Sequence, residues 1–444
     1  MSRDLLSVEE AQARILGAVA SPLEAGEVPV ADALGRTLAA PVVAAVSLPP
    51  WDNSAMDGYA IRAADVARAG DAAPIRLEVV GEVPAGRAAE RALAAGEAIR
   101  IATGAPLPHG ADAVVPVEDT TPLDASGPPG LRGRDAVGPP PAAILVHSAP
   151  VVGSHIRREG GDIRVGETIL EAGTDVGPEA IALAAGAGVG TLIVHRRPVV
   201  AVLATGDEVR GAGERLGPAG IPDANGPALR ALARQAGADV LDLGIARDVL
   251  EDVIARLRSA TDAGADLIVV AGGVSVGPYD VVRSAFEALG RVDLWRVAVQ
   301  PGKPFAFGTA ERPSGRPPVL LFGLPGNPVS AFVTFELFVR PAVRRLGGRR
   351  RTDRPSERAV LLDEARKSPG RRAYLRVTVE RGPDGEARRD ELGRPLVRLA
   401  RGPAGQGSHV LSALAGADAL AIVPEVVSVH PAGGEVGLLW LDRP

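Results

Sequence analysis

Four short stretches of this 444-residue chain hold most of the groups that can do chemistry: GDE (206–208), Asp248 in IARD, GGVSVGPYD (272–280) and GLPGNP (323–328). Asp207, Glu208, Asp248 and Asp280 offer hard carboxylate oxygens, which suit a magnesium ion shared with substrate phosphates. Gly272, Gly273, Ser275 and Gly277 let backbone N–H groups approach an anion closely. No Lys-Ser or Lys-Thr follows, so this is not a Walker A loop. Pro325, Gly326 and Asn327 lead into Pro328, a favourable helix start with Asn327 as cap. Each feature also has a plain structural reading. The glycines serve a tight turn, Asp248 and Asp280 complement a helix dipole from its first turn, and Asn327 only caps.

Lys303, in QPGKPFAFG, stands out for a different reason. Of 49 basic residues only Lys303 and Lys367 are lysines, the rest being arginine. A lysine held in a Gly-Lys-Pro turn can direct its ammonium at an anion, although a solvated turn lysine is the simple alternative. The absence of cysteine excludes disulfides, thiolate zinc sites and cysteine nucleophiles. The six histidines show no metal-ligand spacing, and no Ser-His-Asp arrangement is readable. A net charge of −5 gives no footprint for nucleic acid or an anionic membrane surface. The residues alone therefore indicate a phosphate-bearing small molecule with a divalent cation.

The elements that must position these loops are legible as a change of pattern near residue 195. PVVAVLAT, DVLDLGIA, DLIVVAGG, VDLWRVAVQ and PPVLLFG read as strands alternating with helices, the last helix being NPVSAFVTFELFVRPAVRRL. That alternation indicates a mostly parallel, doubly wound α/β sheet with ligands beyond the carboxyl ends of its strands. At roughly 100–200 residues per domain the length allows about three domains. Before the sheet, residues 1–194 read as an α+β region with an inserted lobe at about 50–150. It begins with an amphipathic helix capped by Ser7. Residues 121–150 read as a Pro/Gly-rich surface excursion. After the 195–346 domain and an arginine-rich hinge, residues 357–444 carry strand signals alone and fit a small β-barrel. No stretch has the unbroken apolar length of a membrane helix, so a cytoplasmic protein is expected.

Seven stretches in order, PPWDNSAMDGYAIR, IRIATGAPLPHGADAVVPVED, IRREGGDI, LATGDEV, GGVSVGPYD, QPGKPFAFG and LPGNPVSAFV, resemble the molybdopterin molybdenumtransferase family of the MoeA and gephyrin E-domain type. The resemblance covers essentially the whole chain. It implies a four-part subunit and an elongated homodimer in which N-terminal residues of one subunit complete the crevice of the other. The implied reaction joins molybdate to adenylylated molybdopterin, with magnesium, giving molybdenum cofactor and AMP. An adenylyltransferase supplying the substrate and apo-molybdoenzymes receiving the product are the implied partners. A scaffolding paralogue and a tungsten-inserting homologue are the alternative readings.

Carried onto this sequence, the resemblance gives catalytic roles to Asp57, Thr103, Glu208, Asp248 and Lys303, with Asp162 a further polar contributor. Substrate contacts fall to Gly206, Asp207, Gly272, Gly273, Ser275, Gly277, Gln300, Pro325, Gly326, Asn327, Arg372 and Ser408. Glu208 and Asp280 face magnesium. Lys303, Arg372 and Ser408 look like the group that receives molybdate. Gln300 stands where many members carry lysine, which removes a charge from that side.

Overall fold

The computed structural model describes residues 5–123, 129–134, 138–273, 281–312 and 316–441. Ser275, Gly277 and Asp280 therefore lie outside the described residues. The first helix, α1 (Val8–Gly17), opens with a complete capping box. The Glu10 N–H donates to Ser7 Oγ at 3.1 Å, and the Ser7 N–H donates to the Glu10 carboxylate at 2.8 Å. Strand β1 (Ala25–Pro29) follows, and then a lobe built from β2 (Gly58–Ile61), β3 (Ile75–Val83), β4 (Glu97–Ile101), β5 (Ala113–Pro116), β6 (Thr120–Leu123) and β7 (Ala143–Val146). These six form one sheet in the order β5-β2-β4-β3-β7-β6. Apolar clusters cover both of its faces, one around Tyr59, Ile61 and Ile144, the other around Ala60, Ile99 and Val114. The 121–150 stretch departs from the surface excursion expected of it. Its ends pair as the antiparallel strands β6 and β7, and Ile144 and Val146 are fully buried. Helix α2 (Pro178–Gly186) leads to β8 (Thr191–His195), which pairs antiparallel with β1, so the chain enters and leaves this region side by side.

The central sheet and its helices comprise β9 (Val199–Thr205), α3 (Asn225–Gln235), β10 (Asp239–Ala246), α4 (Leu250–Asp262), β11 (Leu267–Ala271), α5 (Val281–Glu287), β12 (Arg291–Arg296), β14 (Pro304–Ala310) and β15 (Val319–Leu324), while the two-residue β13 (Val299–Gln300) between β12 and β14 pairs outside this sheet. Its order is β10-β9-β11-β15-β14-β12. The first four strands are parallel. Strand β11 is buried along its whole length, which is why it reads as an uninterrupted apolar run. Alternate residues feed two cores. Val200, Val202, Val269 and Phe322 pack toward α3 and α1, whereas Ala201, Leu203, Ile268 and Leu321 pack toward α4 and α5. The sheet also holds an antiparallel strand the pattern does not announce. PFAFGTA forms β14, antiparallel to both β15 and β12. It starts at a proline, whose missing N–H is tolerated at a strand's first residue, so its onset looks like a continuation of the preceding turn.

After β15 the chain runs through α6 (Pro328–Thr334), a π-helical turn (Phe335–Val339) and α7 (Arg340–Leu346). The turn carries Glu336 with a fully buried side chain. Arg354, in the linker beyond α7, grips that carboxylate with two bonds of 2.7 and 2.8 Å and also donates to Gln235 Oε1 of α3 at 2.8 Å. The Arg340 guanidinium stands 3.7 Å away. The linker to the last domain is thereby tied to the helical layer. That domain comprises β16 (Ser356–Leu361), β17 (Arg372–Val379), β18 (Leu396–Leu399), α8 (Leu411–Gly416), β19 (Ala419–Val423) and β20 (Gly434–Trp440). The order β17-β18-β16-β20-β19 returns to β17, closing a five-stranded barrel. Its interior uses small side chains, Ala359, Ala373, Ala419 and Ala421 among them, which a barrel this narrow requires. Among the described residues no helix is long and apolar enough to cross a membrane.

Glu336→Gln keeps the shape but leaves buried guanidinium charge without its anion, and such losses cost roughly 3–5 kcal/mol. The expected outcome is a clearly lowered urea midpoint with an unchanged m-value, read by tryptophan fluorescence.

Candidate active site at the carboxyl edge of the parallel sheet

From β9 the chain crosses by α3 to β10 on one side, while from β11 it continues by α5 to the other. Opposed connections leave a crevice between the carboxyl ends of β9 and β11, the usual ligand position in such sheets. The loops around it are stitched together by two backbone hydrogen bonds and one from a side-chain amide. The Gly206 N–H donates to Ala246 O at 3.3 Å, the Gly272 N–H donates to Leu324 O at 3.1 Å, and Asn225 Nδ2 donates to Gly326 O at 2.7 Å. Gly272, at φ +96°, has no room for a side chain, since a Cβ would lie 2.6 Å from Thr205 O. Gly206, Asp207, Glu208, Gly272, Gly273, Pro325, Gly326 and Asn327 thus share one rim. Asn225 belongs with them and was not singled out by sequence, because it reads only as a residue of the α3 start.

Asp248 joins the rim from the β10 side, its N–H donating to Asp207 Oδ1 at 3.3 Å. It is not a first-turn helix acid. The cap of α4 is Val249 and its first-turn acids are Glu251 and Asp252. Burial pushes the Asp248 carboxyl above its ordinary range; a backbone hydrogen bond at Asp207 opposes this, and the charges of Asp207 and Glu208 add to it. Among the described residues no three His, Asp or Glu side chains come close enough to hold a metal by themselves. Crowded carboxylates without a complete cage fit a magnesium ion that takes its remaining ligands from water and phosphate. Beside these acids lies a cavity of about 900 Å³ bounded by Gly206, Asp207 and Gly244 and by Arg210, Arg230 and Arg247. The three arginines had no sequence signal, since arginine is this chain's general-purpose cation.

The far side of the rim is made with the barrel. Because β14 runs antiparallel with Ala306 opposite Gly323, Lys303 falls at the carboxyl end of β15. Its turn packs on α6, where Gly302, at φ +113°, would place a Cβ 2.5 Å from Thr334 Cγ2. Asn327 occupies the cap position of α6, yet its side chain makes no capping hydrogen bond. Instead the Val329 N–H donates to Ser408 O at 3.1 Å, which brings the Gly405–Ser408 turn of the barrel to the start of α6.

Gln300 Oε1 accepts the Ser368 N–H at 3.0 Å. The Arg372 guanidinium is engaged elsewhere, paired with Glu9 of α1 and with Glu425 at 3.1 Å. Arg371, its neighbour, has no side-chain partner among the described residues. Lys367, the second lysine, is buried with Nζ donating to the carbonyls of Ser368, Arg371 and Glu425 at 3.2, 2.7 and 3.2 Å. The scarcity of lysine that singles out Lys303 would have found it too.

Asp57 and Thr103 are brought together, but in the N-terminal lobe. The Thr103 N–H and Oγ1 both donate to Asp57 Oδ1, at 2.7 and 2.9 Å. Asp162 sits in the Gly160–Gly161 turn, its N–H on Leu48 O at 2.9 Å. Among the described residues no hydrogen bond or ion pair joins these three to the rim.

A carboxyl whose folded-state value lies above its ordinary 3.8 withdraws stability as pH rises through that interval. Asp248→Asn is therefore expected to melt higher than the parent at neutral pH, with the gap shrinking as pH falls toward 4. Thermal melts from pH 4 to 8 check this.

Three family models cover the chain: the MoeA N-terminal region (domain I and II) over residues 6–188, a "Probable molybdopterin binding domain" over 201–345 and the MoeA C-terminal region (domain IV) over 358–439. Molybdopterin molybdenumtransferase 2 of Mycobacterium tuberculosis is 39% identical over 441 residues, spanning 98% of this chain and 99% of that protein. The molybdopterin molybdenumtransferase of Haemophilus influenzae is 32% identical, spanning 92% of each. The crystal structure of the molybdopterin biosynthesis MoeA protein from Pyrococcus horikoshii superposes with a TM-score of 0.76 at 26% identity, covering 99% of this chain and 100% of that one. With its parts in the same order and a relative 39% identical over 98% of its length, the chain belongs to the molybdopterin molybdenumtransferase family.

Proposed function

We propose that the protein inserts molybdenum from molybdate into adenylylated molybdopterin, releasing AMP and completing the molybdenum cofactor. The observation that carries this reading is the division of one rim into two chemistries. Crowded acids, Asp207, Glu208 and Asp248, stand on the β9–β10 side, and Lys303, Asn327 and the Ser408 turn stand on the barrel side. A substrate with phosphates at one end and a dithiolene at the other fits that division. Glu208, with Asp280, would hold magnesium, which when bound neutralises phosphate charge. The backbone of Gly272 and Gly273 would cradle the pterin phosphate end. Asp248 would remain ionised through the cation it helps to hold, while Asp207 receives the Asp248 amide and fixes that loop. Lys303 would orient the incoming oxyanion beside the dithiolene sulfurs. No protein nucleophile is required; positioning and charge neutralisation account for the catalysis.

Asp57 and Thr103 would act across a homodimer, their hydrogen-bonded pair entering the partner's crevice. An adenylyltransferase would supply the substrate, and apo-molybdoenzymes in the cytoplasm would take the product.

With adenylylated molybdopterin, molybdate and magnesium, the purified protein is expected to release AMP and to yield cofactor that reconstitutes an apo-molybdoenzyme. Lys303→Ala should slow AMP release roughly a hundredfold, the effect typical of losing one preorganised charge-stabilising donor. Equal rates for the two proteins would remove Lys303 from the reaction, and no AMP from either would end the transferase reading. The shared site is checked separately by mixing Asp57→Ala with Lys303→Ala subunits. Random exchange should restore about a quarter of wild-type activity, since half the dimers then carry one intact site of two.

A further inference from the structure

Arg376, on β17, is fully buried, with 0% of the residue exposed. The other buried arginines among the described residues have an acid: Arg354 and Arg340 both face Glu336, at 2.7 and 3.7 Å. Arg376 has no ion pair among the described residues. Its Nη2 donates to the carbonyls of Gly405 at 2.7 Å and Gly407 at 3.0 Å, while Nε and Nη1 have no hydrogen-bond partner. Burial alone pushes its guanidinium down to about 10, still charged at neutral pH. A buried cation without an anion is costly, so its presence asks for a counter-charge.

The turn gripped by Arg376 points to where that counter-charge sits. Gln406 clasps the same residue, its Oε1 accepting the Arg376 N–H at 2.9 Å and its Nε2 donating to Arg376 O at 3.0 Å. In a trans peptide the C=O and N–H point in opposite directions. Drawing the Gly407 carbonyl inward therefore turns the Ser408 N–H outward, away from the barrel. The Gly407 carbonyl also accepts the Val410 N–H at 3.2 Å, the Ser408 amide has no hydrogen-bond acceptor among the described residues, and Ser408 O accepts the Val329 N–H at the start of α6. An outward amide and the Ser408 hydroxyl beside a buried cation are donors suited to an oxyanion.

We propose that Arg376 is a positioning residue for an oxyanion of the molybdate class: its two carbonyl contacts set the Gly405–Ser408 turn, and its unpaired charge is balanced by a tetrahedral dianion resting on the outward amide and hydroxyl of Ser408. This rests on reading the barrel side of the rim as the oxyanion side. Arg376 itself does not touch the anion.

The test measures binding of molybdate, and of tungstate in parallel, to the full-length protein by equilibrium dialysis with elemental analysis. It needs no pterin substrate. Arg376→Gln keeps a donor for the turn and loses the charge, whereas Arg376→Lys keeps the charge and loses the fork. Arg376→Gln is expected to bind at least roughly tenfold more weakly, as for losing a unit charge within about 10 Å of a dianion at an effective dielectric of about 20. Its binding should also depend less on salt, while Arg376→Lys stays within about threefold of wild type. Wild-type binding by Arg376→Gln, a loss as large in Arg376→Lys as in Arg376→Gln, or no oxyanion binding by the wild type would each overturn the proposal. If Arg376→Gln does not fold, Arg376→Met supplies the neutral arm. AMP release is measured independently. Release together with unchanged binding by Arg376→Gln sinks only the role of Arg376, and charge-dependent binding without release sinks only the transferase reading.

Discussion

A seam two residues long governs the architecture of the rim. Strand β13 pairs parallel with β17, setting Val299 opposite Arg372 and Gln300 opposite Ala373. Through this pairing the barrel presents Ser408 and its turn to the central sheet, and the Lys303 turn is held between the barrel and α6. So short a ladder is weak by itself, and the surrounding residues reinforce it. The Arg372 N–H donates to Ala298 O at 2.8 Å, Arg372 reaches α1 through Glu9, and Lys367 draws three carbonyls of the adjoining barrel loops around one ammonium. A compact ammonium can serve three acceptors converging on a point, whereas a planar guanidinium presents a fork. That distinction accounts for a lysine at position 367 in a chain whose other basic residues, Lys303 apart, are all arginine. Gln300 has a similar explanation. Its amide oxygen accepts the Ser368 N–H, which an ammonium at that position could not do.

What the sequence disclosed and what it hid follow the range of the interactions concerned. Strands buried on both faces and the Ser7–Glu10 box depend on neighbours within a few residues, and both are readable. The rim loops are readable because parallel strands must end on the same side. Strand β14 is hidden because its pattern begins at a proline after a Gly-Lys turn. The β6–β7 pair is hidden because Pro and Gly fill the intervening stretch. Arg372 resembles an oxyanion ligand in sequence, but its partners Glu9 and Glu425 come from α1 and from the loop after β19. Arg376, only four residues on, has no local signature. Its significance lies in the absence of an acid, which only the packed barrel displays.

The rim's electrostatics are local and two-sided. At the β9–β10 end burial raises Asp248, with the charges of Asp207 and Glu208 adding to it, while the opposite end gathers Lys303 and the Ser408 turn beside the buried Arg376. With a net charge of −5 spread over 103 charged Lys, Arg, Asp and Glu residues (49 basic plus 54 acidic), no global field orients a ligand. Orientation must come from contrast across the crevice. The hydrogen-bonded stitching of the loops keeps those two ends at a fixed separation.

The packing of α1 carries a consequence for the order of assembly. Val8, Ala11 and Ile15 are buried in the same core as Phe322, Phe335, Phe338 and Leu346. During synthesis this helix emerges before the central sheet, yet its apolar face has nothing to cover it until the strands and final helix of that sheet have followed. The two lobes of the N-terminal region can close on their own contacts in the meantime, through β1 with β8 and through the β2–β7 sheet. Helix α1 thus settles after elements that follow it in the chain, an inversion of the N-to-C order in which domains generally fold on the ribosome.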